Sequence, residues 1–363
     1  MGSNQFGELF KVMTWGESHG RAIGAVIDGC PANLEITEQE IQAKLDKRKP
    51  GNSPFTTPRK EPDTVEILSG VFQNKTLGTP ISLIIYNRDV NSSSYEKLKE
   101  LLRPGHADYT YREKYGHHDY RGGSRASARE TAVRVAAGAI AEKLLLHFGI
   151  RLSAYIIQIG SVFANVKETP FEEIEAGLQK SALFCPDQRA EFAMIEELTQ
   201  IKEERDSLGG AIELISTPLP VGLGDPIFQK LEANLANAML SIPACKAFEI
   251  GSGFEAASMK GSEHNDPFIH EMGKVKTATN HAGGILGGIS NGMPLKIRVA
   301  FKPPSSIGRP IQTLTTKNQK ALITQPKSAR HDPCVVVRAV PVVKAMCALT
   351  LADALLLRKT AVL

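Results

Sequence analysis

Tryptophan occurs once, and aromatic residues make up only 6% of the 363 residues. That is too little for a protein that binds nucleic acid by stacking bases on aromatic side chains. Cysteine is sparse and unpatterned. Cys30, Cys185, Cys245, Cys334 and Cys347 are odd in number, far apart and never in a CxxC pair. This argues against a disulfide framework and a zinc site and fits a reducing cytoplasm. Neither sign of charge dominates: the formal net charge of +4 gives no support to a nucleic-acid partner. No apolar run reaches the length that a membrane span needs, and the N-terminus lacks the basic start and apolar core of a secretory signal. Phe6 also stands where a lipidation motif beginning at Gly2 needs Ser or Thr. The expectation is a soluble cytoplasmic protein with no membrane, metal or nucleic-acid partner.

What is present is an ordinary globular composition, 42% hydrophobic and 23% charged, enough to bury one or two cores. Thr37 and Glu40 have capping-box spacing ahead of Ile41 and Leu45, and Pro50-Gly51 is a stop, so the pattern predicts a helix over 38–48 with Arg48 at its end. Ser127 with Glu130 opens a longer, largely buried helix from Ala128 to Phe148. Asp225-Pro226 opens a third, with Phe228, Leu231, Leu235, Ala238 and Ile242 at helical steps, and Val342–Leu357 reads as a fourth. Between them lie strand-like runs at Ala22–Ile27, Val65–Phe72, Ile81–Ile85, Leu152–Val162, Ala211–Ile215 and Leu295–Phe301. There is also an internal echo. ESHGRAIGAVIDGCP (Glu17–Pro31) aligns without a gap on DSLGGAIELISTPLP (Asp206–Pro220), an acidic-Ser-x-Gly turn leading into an apolar strand, and the second copy lacks the histidine. A true duplication implies two similar halves around one core.

The densest chemistry lies in RPGHADYTYREKYGHHDYRGGSRASARETA, Arg103–Ala132, with five Arg and three His ahead of a helix. Gly122 and Gly123 allow close backbone approach, Arg125 offers a fork to phosphate or carboxylate, and the helix start favours negative charge. A basic surface loop before a structural helix is the bland reading. Neither the Walker pattern nor GxGxxG is present. GESHG, Gly16–Gly20, puts Ser18 and His19 in a tight turn before a strand. It does not fit a nucleophile elbow, because the second glycine is displaced by His19, and adjacent Ser and His are poorly placed as nucleophile and base. NHAGGILGGISNG (Asn280–Gly292), KPPSS (Lys302–Ser306) and RHDPC (Arg330–Cys334) add a glycine-rich run suited to a flat ligand, a cation with two hydroxyls, and an Arg-His-Asp cluster.

Taken in this order, from GELFKVMTWGESHG to RHDPCVVVRAVPVVKAM, these motifs resemble the chorismate synthase family over nearly the whole chain. The resemblance implies an α+β fold: a single-domain β-α-β sandwich over 1–363, with similar halves near 1–150 and 200–363 and helices packed between or against antiparallel sheets. It also implies a homotetramer and reduced FMN as cofactor, with NADPH as a possible reductant. The implied reaction is an anti-1,4-elimination of phosphate and a proton from 5-enolpyruvylshikimate 3-phosphate, the last common step toward the aromatic amino acids, without net redox change. The implied catalytic residues are then His19, which protonates the leaving phosphate, His106, which lies near the flavin and helps hold its protonation state, and Asp332, a proton relay. Both histidines should be readily protonated, helped by nearby anions. Ser18, Arg48, Arg103 and Arg129 are the substrate's partners. Flavin contacts fall on Arg125, Ala126, Ser127, Pro243, Ala244, Gly287, Lys302, Pro303, Pro304, Ser305, Ser306 and Arg330. Where the family often has Ser at Ala126 and Asn at Pro243, this chain offers only backbone groups. Where the family often has Arg, this chain has Pro54, so one anion contact near the mouth of the site is either missing or supplied by Arg59 or Lys60. His117 and His118 are expected at the surface or behind the site, and His281 is expected in a structural or flavin-adjacent role. The competing classes are a flavin-dependent NAD(P)H oxidoreductase and a non-catalytic polyanion binder.

Overall fold

The architecture is a computed structural model that describes residues 3–51, 61–89, 93–96, 98–271, 273–324 and 332–361. The alternation expected of half-buried strands is plain in Pro294–Phe301, where every second residue is buried, and in Ile81–Tyr86. Two five-stranded sheets result. The first contains β1 (Gln5–Phe6), β2 (Lys11–Trp15), β3 (Ala22–Asp28), β4 (Val65–Ser69) and β5 (Ile81–Tyr86), in spatial order β1-β2-β3-β5-β4. The second contains β6 (Leu152–Ile159), β7 (Val162–Phe163), β8 (Gly210–Pro218), β9 (Cys245–Ile250) and β10 (Pro294–Phe301), in order β9-β10-β8-β6-β7. All of these pairings are antiparallel.

Among the described residues, the space between the sheets is filled by α1 (Glu38–Arg48), α2 (Thr131–His147), α3 (Leu231–Leu240) and α4 (Val336–Arg358). α2 packs on β2, β3 and β5, α4 packs on β6 and β8, and the two helices pack on each other. α1 joins α2 and α4, and α3 joins α4 and β9. The layers are therefore sheet, helices, sheet, as expected. Both halves share one topology. β2-β3-α1-β4-β5-α2 in the first corresponds to β6-β8-α3-β9-β10-α4 in the second, and the strands lie in the matching orders β2-β3-β5-β4 and β6-β8-β10-β9. The two copies of the sequence echo run into β3 and β8, each central in its sheet.

Some boundaries differ from the sequence pattern. α1 has the expected box: Thr37 accepts from the Glu40 amide and Glu40 accepts from the Thr37 amide. Ser127 instead accepts from the amide of Arg129 and caps a short 3-10 turn, Ala128–Glu130, so α2 proper starts at Thr131. The third helix starts at Leu231. Ile227–Gln229 forms a separate 3-10 turn that leaves Phe228 90% exposed, so that residue is not part of the buried stripe. α4 starts six residues before the expected Val342 and carries Pro341 inside it, at the cost of one main-chain hydrogen bond. Its 23 residues are long and apolar enough to cross a membrane, contrary to the reading that no segment is. They are mostly buried between the sheets, as in the core helix of a globular protein. Val65–Phe72 breaks at Ser69, and Val71–Phe72 turns back on Lys75–Thr76.

Candidate active site

The turn Gly16–Gly20 leads into β3, and the loop Arg121–Glu130 leads into α2. They meet at Gly122, whose φ is +69°. A Cβ there would lie 2.7 Å from Ser18 Oγ and 2.6 Å from the His19 ring, so only glycine allows this approach. Gly122 thus brings the backbone close to the Ser18-His19 turn. Ser18 is buried, and the Gly123 amide points at its hydroxyl from 3.5 Å. His19 stands edge-on to the Tyr95 ring at 5.0 Å between centroids, and the Arg103 guanidinium lies over the same ring at 5.6 Å. Arg103 is itself fixed by a two-pronged pair with Asp108, both contacts at 2.6 Å, and donates to the Gly122 carbonyl at 2.6 Å.

Behind this layer lies a buried charge cluster. Arg129 donates to Asp63 and, through Nε, to Asn87 Oδ1 at 2.8 Å. Arg48, fully buried, lies 3.6 Å from the other oxygen of Asp63 and points at Thr131 Oγ1 and the carbonyls of Ala128 and Arg129. Burial pushes the Arg48 guanidinium below its ordinary range, against the pull of Asp63. Arg338, on the first turns of α4, donates to Asp332 at 2.9 Å and to the Arg48 carbonyl at 3.3 Å, so the loop before α4 joins the cluster. Among the described residues, Arg48 Nε, Arg129 Nη2 and the Asp63 Oδ2 that faces Arg48 have no hydrogen-bond partner although all three are buried. Two buried cationic donors thus keep unused hydrogen-bonding capacity, at a cost that one unpartnered oxygen of Asp63 offsets by charge alone.

The second half contributes Lys302–Ser306, immediately after β10. Ser306 Oγ meets His106 Nε2 at 2.8 Å, and His106 Nδ1 meets the Pro104 carbonyl at 3.0 Å. Lys302 reaches Ser305 and the Gly105 carbonyl, and its amide donates to Ala244 beside Pro243. Ser207, the counterpart of Ser18 in the second copy, donates to the Pro304 carbonyl at 2.7 Å and holds this loop from behind. A small cleft opens between Arg103, His106, Ser305 and Arg309. His106 departs from expectation: burial first, then the charge of Arg103, push its pKa down, and the hydrogen bond to the Pro104 carbonyl and the charge of Asp108 offset this only in part.

Most of the expected residues therefore converge, with differences in role. The Arg125 guanidinium does not present a fork outward. It donates to the Gly16 and Thr14 carbonyls, Thr14 Oγ1 and Asn4, which braces the turn that carries Ser18 and His19. Gly287, with φ +61° and open space where a Cβ would stand, belongs to the glycine-rich hairpin. The neighbouring Gly288 packs on Asp225 and Lys230. His281 pairs with Ser252 at 3.2 Å and faces His264. His117 is exposed. Arg330, Pro54, Arg59 and Lys60 lie outside the described residues. Sequence reasoning did not single out Asp63, Asn87, Asp108 or Arg338. Asp108 and Arg338 lay inside motifs already recognised, whereas Asp63 and Asn87 follow strand-like or irregular runs with no signal of their own.

The comparisons with known proteins bear on this arrangement. The sequence model of the family described as chorismate synthase matches residues 10–356. The chain belongs to the chorismate synthase family. It is 53% identical to the chorismate synthase of Protochlamydia amoebophila, over 99% of each chain. It is 50% identical to that of Methanosarcina mazei, over 98% of this chain and 97% of the relative. A solved structure titled "Crystal Structure of Chorismate Synthase" superposes with a TM-score of 0.77 at 34% identity, covering 96% of this chain and 92% of that one. Membership of this family makes the protein a lyase, and neither the oxidoreductase nor the polyanion-binding class is favoured.

Proposed function

We propose that this chain acts as one catalytic unit that eliminates phosphate and a proton from 5-enolpyruvylshikimate 3-phosphate to give chorismate. The observation that carries the reading is that Ser18, His19 and Arg103 stand in front of a buried cationic cluster in which, among the described residues, Arg48 Nε and Arg129 Nη2 lack partners. Arg48, Arg103, Arg129 and Arg338 outnumber Asp63, Asp108 and Asp332, so the site carries surplus positive charge for a substrate with two carboxylates and a phosphate.

In this reading the arginines neutralise the phosphate as the carbon–oxygen bond breaks and the leaving group takes the bonding pair. Ser18 donates a hydrogen bond, and His19 delivers the proton that the departing phosphate needs. Asp332, held by Arg338, accepts the proton lost from the substrate carbon. The residues also suit a flat, phosphorylated cofactor such as FMN. Lys302, Ser305, Ser306 and His106 form one donor-rich wall, Pro243–Ala244 and Ala126–Ser127 offer backbone groups, Gly287 leaves open space, and Arg330 is the remaining candidate. Reduced FMN held by these residues would supply an electron-rich ring to a reaction without net redox change. A soluble, cytoplasmic homotetramer fits the five unpaired, buried thiols and the large exposed side chains of Phe192, Phe228 and Phe254.

Anaerobic turnover of 5-enolpyruvylshikimate 3-phosphate with chemically reduced FMN is the test. Equal release of chorismate and phosphate is expected. Folded protein that binds the substrate yet releases neither product would sink the reading. A parallel reaction with oxidised FMN and NADPH decides whether the chain also reduces its own flavin.

A further inference from the structure

Asn87 is the first residue after β5, and one side chain there does three jobs. Its Nδ2 donates to the carbonyls of Glu17, at 3.1 Å, and Gly20, at 2.9 Å, which are the two ends of the turn that presents Ser18 and His19. Its Oδ1 accepts from Arg129 Nε at 2.8 Å. Its own amide donates to the Arg21 carbonyl at 3.0 Å, which anchors the residue at the mouth of β3. A single planar amide thus links the turn bearing the acid to the arginine behind it. Its donor and acceptor ends cannot be exchanged, because the turn offers only carbonyls and Arg129 offers only N–H groups.

The duplicated fold provides an internal comparison. Ala22 pairs with Tyr86 in the first sheet, and its counterpart Ala211 pairs with Ala300 in the second. The position equivalent to Asn87 is therefore Phe301, buried and apolar. The turn it adjoins has Leu208 where the first copy has His19. The amide bridge occurs in the half whose turn carries the histidine, and a packing residue replaces it in the half whose turn does not. A strand end of this fold closes without an amide, so stability of the turn alone does not explain Asn87.

We propose that Asn87 is a positioning residue that sets Ser18 and His19 at a fixed spacing from Arg129, so that all three act on the same phosphate. This deepens the function proposed above and rests on it. Asn87→Asp keeps the size and the acceptor toward Arg129 but sets a carboxylate oxygen against two carbonyls. In the full chain, kcat should fall about 30-fold, since displacements near 1 Å in a reacting constellation cost up to about 100-fold. KM for 5-enolpyruvylshikimate 3-phosphate should rise by no more than about tenfold, less than kcat falls, and titration with reduced FMN should give the wild-type stoichiometry. If the role were merely structural, kcat and flavin stoichiometry would fall together, and that result overturns the proposal, as does a kcat within twofold of wild type. Should Asn87→Asp fail to fold, Asn87→Ser carries the same test, with a loss of about 10-fold expected at full stoichiometry. A second readout is independent of turnover: inorganic phosphate titrated against the His19 imidazole signals by NMR should bind about tenfold more weakly to the variant. A wild-type chain that makes no chorismate defeats the functional reading, while equal phosphate affinity in variant and wild type defeats the role of Asn87.

Discussion

His106 shows how a residue can be found in the sequence while its electrostatic state is not. Its place in RPGH was legible as a candidate proton-handling group, but its charge depends on burial and on Arg103, which no local pattern reveals. Both act against the imidazolium, so the folded pKa lies below the ordinary value of about 6.5. With the folded value depressed, the unfolded chain binds the proton more readily as pH falls. The stabilisation from neutral His106 is therefore present above the ordinary histidine range and is lost as pH drops through that range toward the folded pKa. Two results are expected from NMR titration of the protein without substrate or flavin: an imidazole that titrates below the ordinary histidine range, and an upward shift once a phosphate-bearing ligand places an anion beside it. An ordinary or raised value in the ligand-free protein would contradict this account. The histidine would then be poised as a cation before any ligand arrives.

The packing of α2 on α4 depends on one close approach. A Cβ on Gly138 would lie 2.4 Å from the Ala345 Cβ and 2.7 Å from its Cα, so the helices meet backbone to backbone. Gly138→Ala should recover about 1 kcal/mol of helix propensity yet lose more by forcing the two core helices apart, since overpacking costs about 1–3 kcal/mol. A net destabilisation is expected in urea unfolding, larger for Gly138→Val, and a more stable alanine variant would mean that the interface has slack. These helices also mark what pattern reading captures. α1 was legible to its ends because Thr37 and Glu40 form a true box. The start of α4 was not, because Pro341 reads as a boundary although the tertiary packing of Val336, Val337 and Val340 carries the helix through it. Phe228 falls at helical spacing but lies outside α3, since apolar spacing does not distinguish an exposed turn from the first turn of a helix.

The two halves are joined by more than the helical layer. Much of the site was legible because it is built from short motifs, whereas Asp63 and Asn87 matter only once the fold brings them to Arg48 and Arg129, from positions distant in the chain. Asp353 is another such residue. It lies near the end of α4, in the second half, and its carboxylate accepts the amides of Leu9 and Phe10 at 2.7 and 2.9 Å and that of Glu8 at 3.0 Å, just before β2 of the first half. Removing it leaves these donors without their acceptor, at a cost of about 1–3 kcal/mol for each that water does not reach. Asp353→Ala should therefore destabilise the chain by roughly 3 kcal/mol, and Asp353→Asn by less, because an amide oxygen still accepts. Trp15 is the single tryptophan, it lies in β2, and its ring covers Gly24, so its fluorescence reports on the first half. Amide exchange along Leu152–Ile159 reports on the second. Since α2 and α4 form one buried layer between the sheets, both signals should move together in Asp353→Ala, with one unfolding midpoint. A shift confined to Trp15 would mean instead that the halves unfold separately and that the duplicated units retain independent cores.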